Sequence, residues 1–193
     1  KQEKDRLLHW QVVAKKLEAE NKNLRNLLNF PVEPSARFIT ARVIADTGGA
    51  FANSVVINAG NNSGVRKGQP AVTGEGLVGR VTDLGERSSR ILLITDLNSR
   101  IPVIIQSSQA RAILAGNNTH QPRLIHLSPG ALVSQSDRIV TSGHGGAFPP
   151  GIPVGLVAAV NVNGTSIEPF VDRSRVTHLR VLDYGLTGIV GPN

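Results

Sequence analysis

Several short stretches of this chain carry residue types that could do chemistry, and the first is a glycine-rich segment. Residues 74–79 read Gly-Glu-Gly-Leu-Val-Gly, which matches the G-x-G-x-x-G pattern of dinucleotide-binding loops. That chemistry requires a helix that opens at the third glycine, because the pyrophosphate binds at the helix N-terminus. Residues 80–85 instead read as strand and then turn. The pattern therefore predicts a β-hairpin, and nucleotide binding is disfavoured.

A serine and a histidine in a second glycine-rich stretch could belong to a nucleophilic site. Residues 142–146 read Ser-Gly-His-Gly-Gly, and Asp137 lies just before them. Ser142, His144 and Asp137 are too close in an extended chain to form a Ser-His-Asp triad without an unusual turn. We therefore interpret the stretch as a flexible glycine loop. A degenerate hydrolase with His144 or His178 as its base is the alternative function.

Metal and cofactor chemistry has little support in the rest of the chain. The sequence has no cysteine, which excludes thiolate nucleophiles and thiolate metal ligands. His120 and His126 stand on either side of Pro122 without a His-Glu-x-x-His helix. Asp and Glu together number 14, and no pair forms an evident acid–base couple. We therefore predict no catalytic residue, no cofactor and no metal, and hence a protein that is not an enzyme.

One proline-rich loop is a candidate for contact with a partner protein. It carries Phe148 beside Pro149 and Pro150. A rigid turn that presents an aromatic side chain loses little conformational entropy on binding. The alternative is that Phe148 caps the core of its own domain, since a single apolar residue says little about exposure. The sequence leaves both interpretations open.

The elements that position such residues begin with an N-terminal helix. Apolar residues spaced alternately by three and four form a narrow stripe, which is typical of a coiled coil. The stripe consists of Leu7, Trp10, Ala14, Leu17, Leu24 and Leu28. Pro31 and Pro34 end the helix because proline lacks an amide hydrogen and restricts the residue before it. A terminal helix packed on its own domain is the alternative.

Polar residues on the stripe favour a parallel homodimer. Asn21 occupies an a position, where a buried amide lowers stability but fixes the register. Glu20, at a g position, can reach Arg25 at an e position of a partner helix. The stripe covers about three heptads, so the isolated coil would be weak.

The composition of the chain restricts the kinds of partner that it could bind. The formal net charge is +7, which suits an anionic membrane surface or polymer. Nucleic acid is a poorer match because the chain has one Trp, one Tyr and five Phe, too few to stack bases. The apolar runs are too short to span a bilayer. The chain starts at Lys1 and has no Met, so we expect it to be cut from a longer protein, with a membrane anchor before the coil.

The rest of the chain reads as short strands separated by turns rich in Gly, Pro and Asn. Many short strands of this kind favour barrels or sandwiches. Residues 64–70 followed by 76–81 are echoed by residues 146–153 followed by 155–160, which suggests two similar halves. Strands are predicted at 38–45, 54–58, 70–73, 76–82, 90–95, 101–106, 111–114, 124–127, 138–141, 154–162 and 176–183.

A set of motifs, in this order, resembles the bacterial rod-shape-determining MreC family. They cover most of the chain between about residues 18 and 184. The motifs are Glu-Asn-Lys-Asn-Leu-Arg-Asn-Leu-Leu at 20–28, Thr-Ala-Arg-Val-Ile at 40–44, Gly-Leu-Val-Gly-Arg-Val at 76–81, Leu-Ile-Thr-Asp at 93–96, Ser-Arg-Ile-Pro-Val at 99–103, Thr-Ser-Gly at 141–143 and Phe-Pro-Pro-Gly-Ile-Pro-Val-Gly at 148–155.

The resemblance implies a mainly β fold: a coiled-coil α-helix followed by two small β-barrels, similar to those of chymotrypsin-like proteases without a catalytic site. The expected division is a coiled coil at 1–30, a linker at 31–36, a first barrel at 37–116, a second barrel at 117–185 and a tail at 186–193. A terminal strand that crosses between the barrels would change this division.

The resemblance also implies a function and partners. Its members act as non-catalytic scaffolds of the cell-elongation machinery at the periplasmic face of the inner membrane, where they organise peptidoglycan synthases and maintain rod shape. The implied partners are a class B penicillin-binding transpeptidase, RodA, MreD and MreB, besides a second copy of the chain and higher self-assembly. We therefore expect a membrane-anchored homodimer that does not bind nucleic acid.

Overall fold

A computed structural model of the chain describes residues 2–27, 37–47, 53–162 and 164–185, with the helix side chains described over residues 3–20. The chain forms two units, residues 1–35 and residues 36–193. The predicted linker at 31–36 and tail at 186–193 lie outside the described residues.

The first unit contains one helix, α1 (Gln2–Leu27), where the sequence predicts a helix. The segment is rich in Leu, Lys, Glu and Ala, which are strong helix formers, and has neither Gly nor Pro. Glu3 and Asp5 lie in its first turn, where carboxylates interact favourably with the helix dipole. A helix of 26 residues is about 39 Å long.

Within the second unit, the described strands form two closed antiparallel barrels. Each barrel buries alternate side chains, as in Ile101, Val103 and Ile105, which are at most 2% exposed. The first barrel contains β1 (Arg37–Asp46), β2 (Ser54–Ile57), β3 (Pro70–Val72), β4 (Leu77–Leu84), β5 (Ser89–Leu93) and β12 (His178–Asp183). The second contains β6 (Arg100–Ile105), β7 (Arg111–Ala115), β8 (Arg123–Ile125), β9 (Arg138–Thr141), β10 (Pro153–Asn161) and β11 (Gly164–Pro169).

The mainly β fold with two barrels confirms the expected fold class, but the expected boundary at residues 116 and 117 is wrong. Strands β6 and β7 pair with β9 and β8 and therefore belong to the second barrel. The chain passes between the barrels after β5, and it returns after β11 so that β12 can pair with β1 and β3. The boundary was misplaced because the Gly116–Gln121 loop has the composition of a linker, whereas it connects two strands of one barrel.

The two barrels have the same strand order when β12 is counted as the first strand of the first barrel. The ring of the second barrel runs β6-β7-β8-β11-β10-β9, and that of the first runs β12-β1-β2-β5-β4-β3. Each strand therefore has an equivalent in the other barrel, and only β12 comes from the far end of the chain. This order supports the two similar halves suggested by the sequence repeat.

The register of that repeat, however, differs from the sequence prediction. Gly79 pairs with Ala71, and Val78 bulges out before it; Gly155 pairs with Ile139, and Val154 bulges out before it. The equivalent of Gly155 is therefore Gly79 rather than Gly76, and the two sequences must be shifted by three residues. The sequence prediction aligned the two halves on the identical Gly-Leu-Val triplets at 76–78 and 155–157, and this alignment is wrong.

Both equivalent glycines lie where two strands approach too closely for a side chain. A Cβ at Gly79 would lie 1.9 Å from the carbonyl oxygen of Leu92, and one at Gly155 would lie 2.2 Å from that of Glu168. Close approach of this kind increases the local bend of a barrel strand.

The sequence prediction missed β11, because its only aliphatic core residue is Ile167 and it ends at Pro169.

The barrels share part of one core. Leu77, at the start of β4, is fully buried and belongs to the hydrophobic cluster of the second barrel. Val72 and Leu182, also from the first barrel, pack against the same cluster. A Cβ at Gly76 would lie 2.5 Å from the carbonyl oxygen of Pro153, so the two backbones are in contact there.

Replacing Gly79 with Ala should destabilise the barrels by about 1–3 kcal/mol or more, because a methyl group has no space beside the Leu92 carbonyl. The matched control is Gly74→Ala, where a Cβ would meet nothing within 4 Å. The control should be neutral or slightly stabilising. Urea denaturation of both variants checks the prediction, and equal midpoints would show that the β4–β5 approach tolerates a side chain.

Candidate interaction sites

The described part of α1 exposes the residues that the heptad pattern selected. Leu7, Trp10 and Leu17 are each 60% exposed, and Ala14 and Glu20 are exposed as well. The side chains of Asn21, Leu24 and Arg25 lie outside the described residues, as does the whole of Leu28. An exposed apolar stripe on a single helix is the surface that a coiled-coil partner buries, so the dimer interface stays a prediction with these residues as its members.

Two further apolar residues of the helix are exposed off that stripe. Leu8 is 58% exposed and Val12 is 66% exposed, and their spacing of four places them on one face. The heptad analysis did not include them, because they occupy outward positions in its register. They make the exposed apolar surface of α1 wider than a simple two-helix seam requires.

Phe148, in the proline-rich loop, does not lie at the surface, as the prediction of a partner-contact loop requires. Phe148 is 2% exposed and belongs to the core of the second barrel, so the prediction of a partner-binding aromatic is wrong and the alternative is correct. The Thr141 hydroxyl donates to the carbonyl oxygen of Pro149 at 2.6 Å and accepts from the amide of Ile152 at 2.9 Å. Pro149 is therefore held inward, and only Pro150 is exposed.

The residues considered for hydrolysis do not meet in a catalytic arrangement. Asp137 accepts hydrogen bonds from the Ser134 amide at 2.7 Å and the Ser107 hydroxyl at 2.8 Å, which makes it a turn residue. The Ser142 hydroxyl accepts from the backbone amide of His144 at 3.2 Å rather than from its ring. His178 is an exposed residue at the start of β12, and its ring Nδ1 lies 3.2 Å from the hydroxyl of the neighbouring Thr177.

The remaining chemical motifs are also accounted for by the fold. Residues 74–79 contain part of the turn after β3 and the first three residues of β4, so they belong to a hairpin, as predicted, and no helix begins there. Over the described ranges, no three His, Asp or Glu side chains converge as a metal site would need. In that same part of the chain, no helix combines the length and the apolar character needed to cross a bilayer.

The junction between the barrels contains a buried carboxylate that the sequence analysis did not single out. Asp96 is fully buried in the connection from β5 to β6. Its Oδ2 accepts from the Asn53 amide and its Oδ1 from the Asn98 amide, both at 2.7 Å. Charge-assisted bonds to backbone amides offset the cost of burying an acidic group. The signal in the sequence was an aspartate placed directly after an apolar strand, within the Leu-Ile-Thr-Asp motif.

Asn53, just before β2, connects this carboxylate to two further segments. Its side-chain oxygen accepts from the Arg173 guanidinium at 2.6 Å, and its side-chain nitrogen donates to Asn118 Oδ1 at 3.4 Å. Asn118 Oδ1 also accepts from the Leu97 amide at 2.8 Å. The network thus joins the start of β2, both connections between the barrels and the loop after β7.

A groove of about 430 Å³ lies beside this network, between the two barrels. One side is formed by the beginning of β4 and the end of β5, and the other by residues 168–174. Thr95 and His120 complete the lining. Hydrogen bonds from the Ser174 hydroxyl and amide hold the pKa of Asp172 below its usual value, so this groove residue stays ionised at neutral pH.

The observations define a class of protein: a chain with a helix that carries an exposed apolar stripe, followed in sequence by two equivalent six-stranded barrels. A family model described as "Rod shape-determining protein MreC, barrel core" matches residues 43–183. The chain therefore belongs to the MreC family of rod shape-determining proteins, which confirms the resemblance seen in its motifs.

Individual relatives agree with this assignment. A protein of Cereibacter sphaeroides, "Cell shape-determining protein MreC", is 40% identical over 173 residues, which is 90% of this chain and 58% of the relative. The chain therefore spans little more than half the length of that relative. The structure of MreC from Listeria monocytogenes has a TM-score of 0.81 at 25% identity, and the match covers 98% of this chain and 95% of that chain.

A complex between Penicillin-Binding Protein (PBP2) and MreC from Helicobacter pylori has the same fold. Its match has a TM-score of 0.60 at 18% identity and covers 76% of this chain and 98% of that chain. At this identity the comparison concerns the fold alone.

Replacing Asp96 with Asn should destabilise the protein by about 2–3 kcal/mol, because the amide NH₂ would face a backbone N–H that has lost its acceptor. Asp83→Asn is the control, since Asp83 is exposed and its ion pair with Arg90 contributes little. Chemical denaturation measures both variants. Loss of stability in Asp83→Asn but not in Asp96→Asn would contradict the role given to the junction.

Proposed function

We propose that this chain is part of a non-catalytic scaffold of the bacterial cell-elongation machinery, which organises peptidoglycan synthases in the periplasm and maintains rod shape. The observation that carries the proposal is the family match over residues 43–183, which covers most of both barrels. Relatives named as cell shape-determining proteins support it. The dispersed Ser, His and Asp residues also give no positive reason to assign a hydrolase.

The scaffold works as a parallel homodimer through α1. The exposure of Leu7, Trp10 and Leu17 supports this part of the proposal, because three large apolar side chains on one stripe are unfavourable in water. Asn21 sets the register, and Glu20 pairs with Arg25 of the other helix. The described helix covers about three heptads, so a membrane anchor before residue 1 would strengthen the pair by holding two copies close together.

The partners follow from the family and from one solved complex. A class B penicillin-binding transpeptidase is the main partner, supported by the complex of PBP2 with MreC from Helicobacter pylori. RodA, MreD and MreB complete the set, and dimers assemble further into larger structures. The anchor places the barrels on the periplasmic side of the inner membrane, where the net charge of +7 suits the anionic surface of the bilayer.

Replacing Leu17 and Leu24 with Glu should convert the dimer to a monomer, because two charges on the seam cannot be buried against a partner helix. Sedimentation equilibrium gives the mass directly. The control is the pair Lys15→Glu and Lys22→Glu, which has the same spacing of seven on the outer face of the helix. An unchanged dimer mass for the Leu variant would place the dimer interface elsewhere.

Replacing Asn21 with Leu should raise the thermal stability of the dimer while relaxing its register or oligomeric state. Circular dichroism at several protein concentrations and sedimentation equilibrium measure the two effects. A variant that remains a strict parallel dimer, judged by disulfide exchange between single cysteines placed at the helix N-terminus, would show that Asn21 lies off the seam.

The chain should also bind the periplasmic part of the class B transpeptidase from the same bacterium, and it should not turn over envelope substrates. Biolayer interferometry measures the first, and incubation with muropeptides, peptides and esters followed by mass spectrometry measures the second. Turnover that disappears in His144→Ala would overturn the scaffold in favour of the hydrolase.

A further inference from the structure

The outer surface of the second barrel carries an apolar patch that spans four neighbouring strands, β9, β6, β7 and β8. Along these strands alternate side chains are buried in the core, so the side chains between them point outward. Cross-strand pairing sets Val140 beside Ile104, Pro102 beside Ile113, and Ile113 beside Ile125. These five residues, the outer patch, are half-buried, and each leaves apolar area in contact with solvent.

Arginine side chains border the outer patch. Arg111 faces outward on β7 beside Ile104, and Arg123 faces outward on β8 two residues before Ile125. Both residues are exposed, and among the residues that the structure describes neither guanidinium forms an ion pair. Arg100, at the same edge as Arg123, donates to two backbone carbonyl oxygens just before it. Arg111 and Arg123 can therefore each meet a carboxylate of another molecule.

The face keeps a positive charge when the adjoining acidic residues are counted. Its four strands carry no outward Asp or Glu. In the adjoining segments, Asp96 is fully buried at the junction between the barrels, whereas Asp137 lies just before β9 and Glu168 lies on β11. The four exposed arginines of the face exceed these last two carboxylates by two charges; they are Arg100, Arg111, Arg123 and Arg138.

Arg111 and Arg123 have a spacing that an extended peptide can match. Arg123 pairs with Ala115, which lies four residues after Arg111 on β7. At about 3.4 Å per residue, the two arginines are about 14 Å apart along the strand, with Ile113 midway. In an extended segment, residues i, i+2 and i+4 share one face and repeat at the same spacing. Acidic residues at i and i+4 with an apolar residue at i+2 therefore match this face.

We propose that the outer patch and its arginines are a docking surface for a partner protein that presents an extended segment of the form acidic-x-apolar-x-acidic. The two carboxylates bind Arg111 and Arg123, and the apolar side chain packs on Ile113 and its neighbours. Apolar centres with a charged border are typical of protein interfaces. Contact with a bilayer requires apolar side chains that insert into the lipid, whereas those of the outer patch are half-buried on the body of a barrel. The surface goes beyond the scaffold proposal, because it involves neither the helix nor a particular partner.

Titration of the isotope-labelled chain with acetyl-Gly-Glu-Ser-Leu-Ser-Glu-Gly-amide, followed through NMR amide shifts, tests the proposal. Shifts should be confined to β6, β7, β8 and β9. A peptide with Lys in place of both Glu residues should bind about tenfold more weakly or not at all, because it meets like charges. A peptide with Ser in place of Leu should bind about fivefold more weakly, because the apolar contact is lost. Equal binding of the three peptides, or no binding of the Glu peptide, would refute the docking surface.

The arginines are tested by Arg111→Gln and Arg123→Gln, each of which should weaken binding of the Glu peptide by about two- to fivefold. Added salt should reduce the difference between these variants and the parent chain, because it screens exposed charges. Arg87→Gln removes the same charge from an exposed turn of the first barrel and is the matched control, which should bind normally. Full affinity in both patch variants would exclude the arginines from the surface.

The apolar centre is tested by Ile113→Thr, which keeps the branched shape that suits a strand but removes apolar area. Binding of the Glu peptide should weaken by about fourfold. Val56→Thr makes a similar change at a half-buried outward position of β2 and should leave binding unchanged. An equal loss in the two variants would trace the effect to stability of the barrels and would contradict the assigned contact.

Other occupants of the face give different results. Binding of phosphatidylglycerol vesicles that is lost in the Arg111→Gln, Arg123→Gln double variant, without peptide shifts in the parent chain, would assign the face to a bilayer and reject the proposal. A lower mass of the double variant in sedimentation equilibrium would assign it to contact between copies and also reject the proposal. Transpeptidase binding and the mass of the helix variants are measured separately, so failure here leaves the scaffold proposal standing.

Discussion

The arrangement of the two barrels depends on one carboxylate buried where the chain passes from the first to the second. Asp96 accepts backbone amides from its own turn and from the start of β2, and through Asn53 it is connected to Arg173 on the returning segment. A buried polar side chain needs hydrogen-bond partners of this kind, because an unpaired one destabilises the fold. The carboxylate therefore fixes three chain segments at once, and the groove beside it takes its shape from them.

Local patterns predicted much of the fold because its strands bury alternate residues between clear turns. The helix, the hairpin at residues 74–79 and most strands follow from spacing and turn chemistry. The partition into barrels did not follow, because strand pairing between distant segments leaves no trace in local composition. Strand β11 was not predicted for a related reason. It contributes Ile167 alone as an aliphatic core residue, and it forms a strand because it pairs with β8 and β10.

The candidate sites also differ in whether they could be predicted from the sequence. The heptad stripe of α1 could be read from the sequence, since it depends on residues of one helix. The groove could not, because Thr95, Phe170 and Asp172 come together only through the return of the chain to the first barrel. Phe148 shows the opposite error: a rigid loop beside prolines looks like a contact surface, yet the loop folds its aromatic into the core.

The position of β12 in the first barrel has a consequence for how the protein folds. The first barrel pairs Arg37 with Asp183, so its ring cannot close until nearly the whole described chain is available. The second barrel uses six strands that follow one another in the chain, so its strand ring can close before β12 is available. During synthesis from the N-terminus, β1 and β3 therefore remain open edges while the later barrel forms, and such edges invite pairing with other chains. Pairing of β12, the last described strand, with β1 and β3 then completes the first barrel, and the segment that leads to β12 completes the groove.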